Sequence, residues 1–412
     1  MSIQLLIWNY FKAKKLNTGL NILLLSLGIA MITLLILFNN QLEEKMTNNS
    51  KGIDLVVGAK GSPLQLILCA VFHVDFPTGN IKLREADRLA KHRLVKYAIP
   101  LALGDSYQGF RVIGTNRAYS SLYQADLASG DWWEKDLEVT LGSSVAQLTK
   151  LKVGDHFESA HGLTKDGHAH DENKYVVKGV LKQSGTVVDN LILTTISSVW
   201  KVHAEPSSDS TIQQLSTSPS LLVSSVEASD SVREITSLLI KYKNPIAAIQ
   251  LPRFINTQTS MQAASPAFEM ARLFTLLGVG ADALMGFAYV LIFISGLSIF
   301  IALYNSLKER RYDMAIMRSM GASRGLLFKT IILEGSILTF VGASLGLAFG
   351  HLVLGVFVHL MEEGQKAGLT AGVFYAEEAV ILVGSVVLGV FCSLLPAIQA
   401  YRVDIHKVLA SN

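Results

Sequence analysis

The chain has 412 residues, of which 50% are hydrophobic and only 17% are charged, and its mean hydropathy is +0.38. These values exclude a pure membrane bundle, which would be more apolar, and predict membrane segments joined to a substantial polar domain. The formal net charge of +3 is too small to indicate nucleic acid binding, and the presence of only two cysteines, Cys69 and Cys392, excludes a disulfide framework.

The first residues predict an interfacial helix followed by a membrane span. Residues 1–18 are predicted to form a cytoplasmic amphipathic helix, because a bulky apolar stretch precedes three lysines. Residues 19–38 carry no charge and are long enough to cross a bilayer core. No small-residue cleavage site follows them, so we interpret the run as an uncleaved transmembrane helix.

Residues 39–282 have the composition of a globular domain and predict a mixed α/β region with its own core. Strands are predicted at residues 54–57, 110–113, 175–181 and 191–195, with a turn at 58–63. Helices are predicted at residues 145–151, 232–242 and 268–277, the last as a stalk that runs into the next span. Residues 64–74 are apolar but too short to span a membrane, so they predict a buried helix or strand with His73 in the core.

Three further apolar runs predict the remaining membrane helices. They cover residues 283–307, 335–361 and 379–401, and only His351 interrupts the second of them. The predicted fold is therefore an α-helical membrane protein with four transmembrane helices and a large mixed α/β extracytoplasmic domain between helices 1 and 2. No charged residue lines the predicted spans, as a hydrophilic conduit would require.

Loop charges predict the orientation. Basic residues dominate segments 1–18, 308–329 and 402–412, whereas the loop 362–378 holds four glutamates against one lysine. With four spans, the three basic segments fall on one side of the membrane, which the positive-inside rule assigns to the cytoplasm. Both termini are therefore expected in the cytoplasm and residues 39–282 outside it.

The polar segment 308–329 predicts a docking surface. Its apolar residues Tyr312, Ile316 and Met320 recur every fourth residue, and Ala315 and Met317 widen the stripe, which is typical of a short amphipathic helix. Gly321 is suited to end that helix and Ser323 to cap the next one. Glu334, at the edge of the third span, is expected to pair with Lys329 or a nearby arginine.

Two other patterns leave alternatives open. Gly342, Gly346 and Gly350 form a small-residue face in the third span, which indicates either a dimer seam or packing within one subunit. In the α/β region, four side chains could bind Zn²⁺ or simply belong to a solvated polar loop: His161, His168, His170 and Asp171.

Nucleotide-binding and hydrolase motifs are absent from the sequence. The segment 58–62 lacks the G-K-[ST] ending of a Walker A motif, and no G-x-S-x-G occurs. The chain is therefore not expected to be an enzyme, and any nucleotide energy must come from another chain.

The segment from Arg310 to Ser323 reads RRYDMAIMRSMGAS. It resembles the R-R-x-E-I-x-x-L-R-x-[LM]-G-A-[ST] motif of the FtsX-like permeases of MacB-type ABC transporters, which are related to LolC/LolE-type permeases. Asp313 replaces the usual glutamate. Residues 395–409 resemble the family's P-A-x-x-A-x-R-x-x-P ending, with His406 near the position of the proline. Four outer segments, 112–115, 141–146, 151–155 and 176–182, resemble the MacB-type periplasmic core domain.

This resemblance implies a homodimer, or a pair with a similar permease, in a bacterial inner membrane, with cytoplasmic ATPase subunits that bind ATP and Mg²⁺. The implied function is mechanotransmission: ATP-driven closure moves the periplasmic domain and drives substrate efflux or lipoprotein release. The residues expected to couple to the ATPase are Arg310, Arg311, Asp313, Ile316, Met317, Arg318, Met320 and Gly321. The alternatives are regulation of a periplasmic protein partner and zinc handling.

Overall fold

A computed structural model describes residues 12, 14–160, 174–203, 233–360 and 368–402. The chain divides into two compact units, one formed by Met1–Leu42 with Leu276–Asn412 and the other by Glu43–Thr275. Helix α1 (Lys15–Ser50) contains the whole of the predicted first span. Of the amphipathic helix predicted over residues 1–18, residues 1–11 and 13 lie outside the described residues, and residues 15–18 belong to α1.

The unit formed by Glu43–Thr275 is a mixed α/β domain, as predicted. Its strands are β1 (Leu55–Ala59), β2 (Ile81–Lys82), β3 (Val95–Tyr107), β4 (Phe110–Gly114), β5 (Leu127–Gly130), β6 (Glu138–Leu141), β7 (His156–Phe157), β8 (Tyr175–Leu181), β9 (Leu191–Thr194), β10 (Glu234–Ile235), β11 (Ser237–Tyr242) and β12 (Met261–Ala264). Its helices are α2 (Pro63–Ala70), α3 (Leu83–Ala90), α4 (Arg117–Leu122), α5 (Ser143–Thr149), α6 (Ile196–His203) and α7 (Ala247–Gln258).

One mixed sheet organises this domain. Its strand order is β12-β1-β11-β3-β4-β9-β6-β8-β5, with β7 also paired to β8, while β10 and β2 form a separate two-stranded sheet. The pairs β4/β9 and β6/β8 are parallel and the other pairs are antiparallel. Parallel neighbours need crossover connections, which explains why helices separate several of the strands.

Strand β3 belongs to both halves of the sheet. Its first residues pair with β11 and its last with β4, and the register shifts between Leu103 and Ser106. Such an irregularity bends a strand and increases its twist. Two buried apolar cores lie on either side of this bend: one packs β1, β11 and β12 against α3 and α7, and the other packs β4, β6, β8 and β9 with α5.

Residues 64–74 form a helix rather than a strand over most of their length. Ser62 accepts a hydrogen bond from the Gln65 amide at 3.4 Å, and Pro63 occupies the first turn. Both features are typical of a helix N-terminus, because the first amides of a helix lack partners within it. The predicted position of His73 in the core is confirmed, since its side chain is buried.

The helix predicted at residues 232–242 is wrong. Strands β10 and β11 occupy this region. The spacing of Ile235, Leu238, Leu239 and Tyr242 matches one face of a helix, but β11 is a central strand in which Leu238, Leu239 and Ile240 are all buried. A strand that is buried on both faces carries a continuous apolar run, which periodicity alone cannot distinguish from a helix.

The remaining helices are α8 (Pro266–Glu309), α9 (Arg311–Ser319), α10 (Arg324–Leu360) and α11 (Ala376–Tyr401). Helices α1, α8, α10 and α11 are each long and apolar enough to cross a membrane, and the four predicted apolar runs fall on them. The predicted helix over residues 268–277 is confirmed as part of the continuous helix α8. Helix α11 begins at Ala376, so the predicted loop 362–378 ends earlier than expected.

Candidate functional site

Helix α9 connects the end of α8 to the start of α10 and contains most of the predicted coupling residues. Gly321 has a φ of 101°, and the amides of Gly321 and Ala322 donate to the carbonyls of Arg318 and Met317 at 3.1 and 2.9 Å. Only a residue that tolerates positive φ allows this closure of a helix. The Ser323 Oγ accepts from the Leu326 amide at 3.2 Å, so both predicted caps are confirmed.

One face of α9 packs inside the membrane unit. Met314 and Ala315 are buried, and Met314 belongs to an apolar cluster that includes Leu307, Leu327 and Ala397, with Met317 packed at its edge. Ala315 was predicted to widen the stripe of Ile316, but it is buried, because it lies about 100° around the axis from Ile316, at the boundary with the packed face. Burial of this face holds α9 against α8, α10 and α11.

The opposite face of α9 is an exposed apolar row, which we call the α9 outer face: Tyr312, Ile316 and Met320. Their exposed fractions are 44%, 37% and 82%. Arg311 and Asp313 are exposed beside them, whereas Arg318 is half-buried. The three side chains of the α9 outer face are therefore accessible to a binding partner. Charged residues flank them, as they do the apolar centre of many protein interfaces.

Arg310 does not belong to the α9 outer face. Its guanidinium Nη1 lies 3.4 Å from the Glu334 Oε2, and the exposed fractions of the two side chains are 17% and 7%. The predicted pairing of Glu334 with a nearby arginine is confirmed. Beside this pair, Lys14 Nζ lies 2.5 Å from Glu309 Oε2. The end of the bundle that carries α9 therefore contains two ion pairs, one buried and one more exposed.

The three glycines of the predicted small-residue face, all on α10, pack against α1 of the same chain. A Cβ added at Gly342 would lie 2.9 Å from Leu25 Cδ2, one at Gly346 would lie 2.8 Å from Ile29 Cβ, and one at Gly350 would lie 2.9 Å from Thr33 Cβ. Such distances are shorter than ordinary carbon contacts, so only glycine allows this approach of the helices. Of the two predicted alternatives, a dimer seam or packing within one subunit, these contacts with α1 are packing within one subunit.

A second close contact joins α10 to α11, which the sequence motifs missed. A Cβ at Gly389 would lie 2.3 Å from Thr339 Oγ1, and one at Gly335 would lie 2.9 Å from the Gly389 carbonyl oxygen. The two glycines are far apart in sequence. Each lies in a run of small residues at four-residue spacing that the sequence analysis did not use: Gly335, Thr339 and Ala343 on α10, and Ser385, Gly389 and Ser393 on α11. Only the pairing of the two helices reveals that they form one contact.

A buried polar cluster at the other end of the bundle was also missed. His351 Nε2 lies 2.9 Å from Glu378 Oε2, and its Nδ1 lies 2.6 Å from the Ala371 carbonyl oxygen. A carbonyl can only accept, so Nδ1 carries a proton. The histidine that interrupts the third predicted span is thus explained by a partner in the first turn of α11, just before the fourth predicted span.

In the α/β domain, a buried histidine lies beside a buried arginine. His73 Nε2 is 2.9 Å from the Tyr119 hydroxyl oxygen, while Arg111 donates to the carbonyls of His73 and Asp75 at 2.8 and 2.7 Å. Burial, with a smaller contribution from the charge of Arg111, lowers the pKa of His73 to about 3. Burial also raises the pKa of Cys69 to about 11. Both side chains are therefore neutral near pH 7, as expected of core residues.

The predicted zinc ligands His161, His168, His170 and Asp171 lie outside the described residues, so zinc binding by them stays a prediction. Within the described ranges, no cluster of three or more metal-ligating side chains occurs. The α/β domain does contain a groove of about 480 Å³ between α3 and α7. The ring of His92 stacks on Phe254 in its wall, with 5.8 Å between centroids.

Comparison with solved structures finds similar folds. The periplasmic region of MacB from Actinobacillus actinomycetemcomitans is 12% identical over 56% of this chain and 97% of that chain, with a TM-score of 0.33. The extracellular domain of the noncanonic ABC-type transporter YknZ from Gram-positive bacteria is 13% identical over 52% and 99%, with a TM-score of 0.28. A domain of a putative permease protein from Porphyromonas gingivalis is 10% identical over 53% and 88%, with a TM-score of 0.25.

Comparison with protein families covers nearly the whole chain. No curated protein sequence matches it significantly. The model of the MacB-like periplasmic core domain matches residues 18–243, more than half of the chain, and the model of the FtsX-like permease C-terminal region matches residues 285–405. These two matches include most of the α/β domain, the whole of α9 and most of each membrane helix. The chain therefore belongs to the MacB/FtsX-like permease family of ABC transporters.

Proposed function

We propose that this chain is the permease subunit of an ABC transporter complex in a bacterial inner membrane. A separate cytoplasmic ATPase, which binds ATP and Mg²⁺, drives movements of the α/β domain, and these movements expel a substrate or release a lipoprotein. The termini and α9 are cytoplasmic in this proposal, and the α/β domain is periplasmic. The ATPase activity of the complex resides in the partner subunit.

The observation that carries the proposal is the division of α9 into two apolar faces. Its buried face packs against α8, α10 and α11, so the helix is fixed to the membrane unit. Its outer face exposes Tyr312, Ile316 and Met320 in a segment rich in basic residues. An apolar row on a fixed helix fits the groove of a protein partner, and force applied there would reach three membrane helices.

The exposed surface of α8 supports a second copy of the chain as a further partner. Eight exposed residues recur with alternating spacings of four and three, and we call them the α8 seam: Leu276, Gly280, Ala283, Phe287, Val290, Ile294, Leu297 and Ile301. This 3.5-residue period is the repeat along which two supercoiled helices pack. Leu276 and Gly280 also precede the predicted span, so lipid tails would not cover them.

The test of ATPase docking uses the α9 outer face. We expect the double variant Ile316→Asp/Met320→Asp to insert into the membrane normally but to lose co-purification with the ATPase, because two charges would be buried in the interface. The matched control is Leu148→Glu, which adds a charge at an exposed apolar side chain of α5. Retained ATPase binding by the double variant would exclude the α9 outer face as the docking surface.

Reconstitution of the complex separates transport from the regulatory alternative. Transport predicts that a small molecule or a lipoprotein stimulates ATP hydrolysis by the complex in lipid vesicles. Regulation of a periplasmic protein predicts that only a protein partner does so. Stimulation by a protein partner alone would replace transport by signalling as the function of this chain.

A further inference from the structure

Arg310 occupies the corner between α8 and α9. Its amide donates to the Ser306 carbonyl at 3.1 Å and its carbonyl accepts from the Met314 amide at 3.0 Å, so its backbone links the end of one helix to the start of the next. The side chain turns away from the α9 outer face and pairs with Glu334. Glu334 lies on α10, about three helical turns after its first residue Arg324. One side chain pair thus joins the α8–α9 corner to α10.

Stability alone does not explain this ion pair. Both side chains are nearly buried, and removing two charges from water costs about as much free energy as their attraction returns. The surroundings would suit apolar side chains, since Leu303, Leu307, Met314 and Ile331 line the same space. What a buried ion pair adds over an apolar contact is one fixed alignment, because only one arrangement satisfies both charges.

Small cavities lie on both sides of the pair. Each has a volume of about 30 Å³, and both are lined by Leu303, Ser306, Arg310 and Glu334. Cavities of this size next to polar atoms normally hold one or two water molecules. The Ser306 Oγ, which is buried between them, has no hydrogen-bond partner within the part of the chain that the structure describes. The pair is therefore not locked by close packing, and its side chains have room to move together.

We infer that Arg310 and Glu334 are positioning residues that transmit movement of α9 to α10. This inference rests on the proposed function. Apolar packing holds α9 against its neighbours without specifying one rotation, whereas the ion pair fixes the rotation of the α8–α9 corner relative to α10. Force applied to the α9 outer face then moves α10 instead of being absorbed at the corner. Arg310, although part of the predicted coupling set, acts within the chain and makes no contact with the ATPase.

The decisive variant is Arg310→Met/Glu334→Met. It removes both charges and leaves none unpaired, so it should fold even where Arg310→Met or Glu334→Met alone does not. The full-length chain would be co-expressed with its ATPase and reconstituted in lipid vesicles. Two quantities would be measured: ATPase co-purification, and the nucleotide-dependent change in hydrogen exchange of the α/β domain amides.

We expect the double variant to retain ATPase binding, while the nucleotide-dependent exchange change falls by about tenfold. The charge swap Arg310→Glu/Glu334→Arg should restore part of the response, which a merely structural role would not predict. The control Lys308→Met, at an exposed site two residues away, should behave as the wild type.

Three results would count against the inference. Wild-type transmission by the double variant would overturn it and leave the proposed function intact. Loss of ATPase binding by Arg310→Met, with normal binding by Glu334→Met, would make Arg310 a docking contact and also overturn it. A wild-type chain that binds no ATPase would instead overturn the proposed function itself, and this inference with it.

Discussion

His73 shows what the α/β domain tolerates in its core. The residue has a φ of 57°, a backbone conformation that is uncommon for residues other than Gly, although Asn, Asp and His adopt it more often than the rest. Its imidazole is held by the Tyr119 hydroxyl at 2.9 Å. Arg111 binds the His73 carbonyl from the other side. The strained backbone is therefore fixed by hydrogen bonds to a tyrosine and an arginine, both distant in sequence.

The neutral state of His73 predicts a loss of stability in acid. Its folded pKa of about 3 lies below the ordinary value of 6.5, so between these values the unfolded chain binds a proton that the folded chain excludes. Stability should fall as pH falls through this window, by about 1.4 kcal/mol per pH unit, or about 2 kcal/mol at pH 5. Urea unfolding followed by tryptophan fluorescence checks this, since Trp132, Trp133 and Trp200 all lie in the domain.

The matched variant for this experiment is His73→Asn. Asparagine tolerates the left-handed backbone and does not titrate. The variant should lose most of the difference in unfolding free energy between pH 7 and pH 5, even if it is less stable at both values. An unchanged difference would assign the acid sensitivity to other groups.

Glycines on α10 and α11 allow the closest contacts between the membrane helices. The α10 helix presents Gly342, Gly346 and Gly350 to α1 and presents Gly335 to Gly389 of α11. In a membrane, where apolar side chains gain little by leaving lipid, such close approach supplies much of the packing energy. Other glycines, among them Gly384 of α11, have no atom within 4 Å of an added Cβ, so glycine content alone does not indicate a contact.

Because Gly346 is closely packed and Gly384 has open space around it, replacing each by alanine should have different effects on stability. Gly346→Ala should lower the free energy of unfolding by about 1–3 kcal/mol, because its Cβ would meet Ile29 Cβ and the Ser26 carbonyl oxygen at 2.8 Å. Gly384→Ala should leave it unchanged or raise it by up to about 1 kcal/mol, since alanine is the better helix former. Thermal unfolding of the purified chain, followed by circular dichroism in detergent, compares them. Equal effects would exclude close packing at Gly346.

Most helices and strands were predictable from local sequence. The features that the sequence did not predict depend on contacts between residues that are far apart in the chain. The apolar runs, the Gly321 and Ser323 caps and strand β8 depend on neighbours in the chain, so their patterns are readable. The partner of His351, Glu378, lies on a different helix, and no local rule indicates it. An arginine partner was predicted for Glu334, but only the fold identifies it as Arg310. Strand β11 was mistaken for a helix because burial on both faces removes the alternation of a strand.

At the scale of the whole molecule, the α8 seam and α9 are directly connected. Only Arg310 separates the end of α8 from the start of α9. Two chains joined in parallel along the α8 seam would therefore hold two copies of α9 at the same end of the assembly. This arrangement suits the pair of ATPase subunits that the family resemblance implies, because both docking faces would be presented to one side of the membrane.

Cysteine cross-linking tests this pairing. In a background with Cys69→Ala and Cys392→Ala, Val290→Cys lies on the α8 seam, and Tyr289→Cys is about 100° away around the helix although it is equally exposed, at 61% against 54%. A disulfide needs Cα atoms within about 7 Å, so oxidation in native membranes should link two copies through position 290 and not through position 289. Equal linkage at both positions would indicate random collision. A product that joins this chain to a different permease would replace the homodimer by a mixed pair with the same seam.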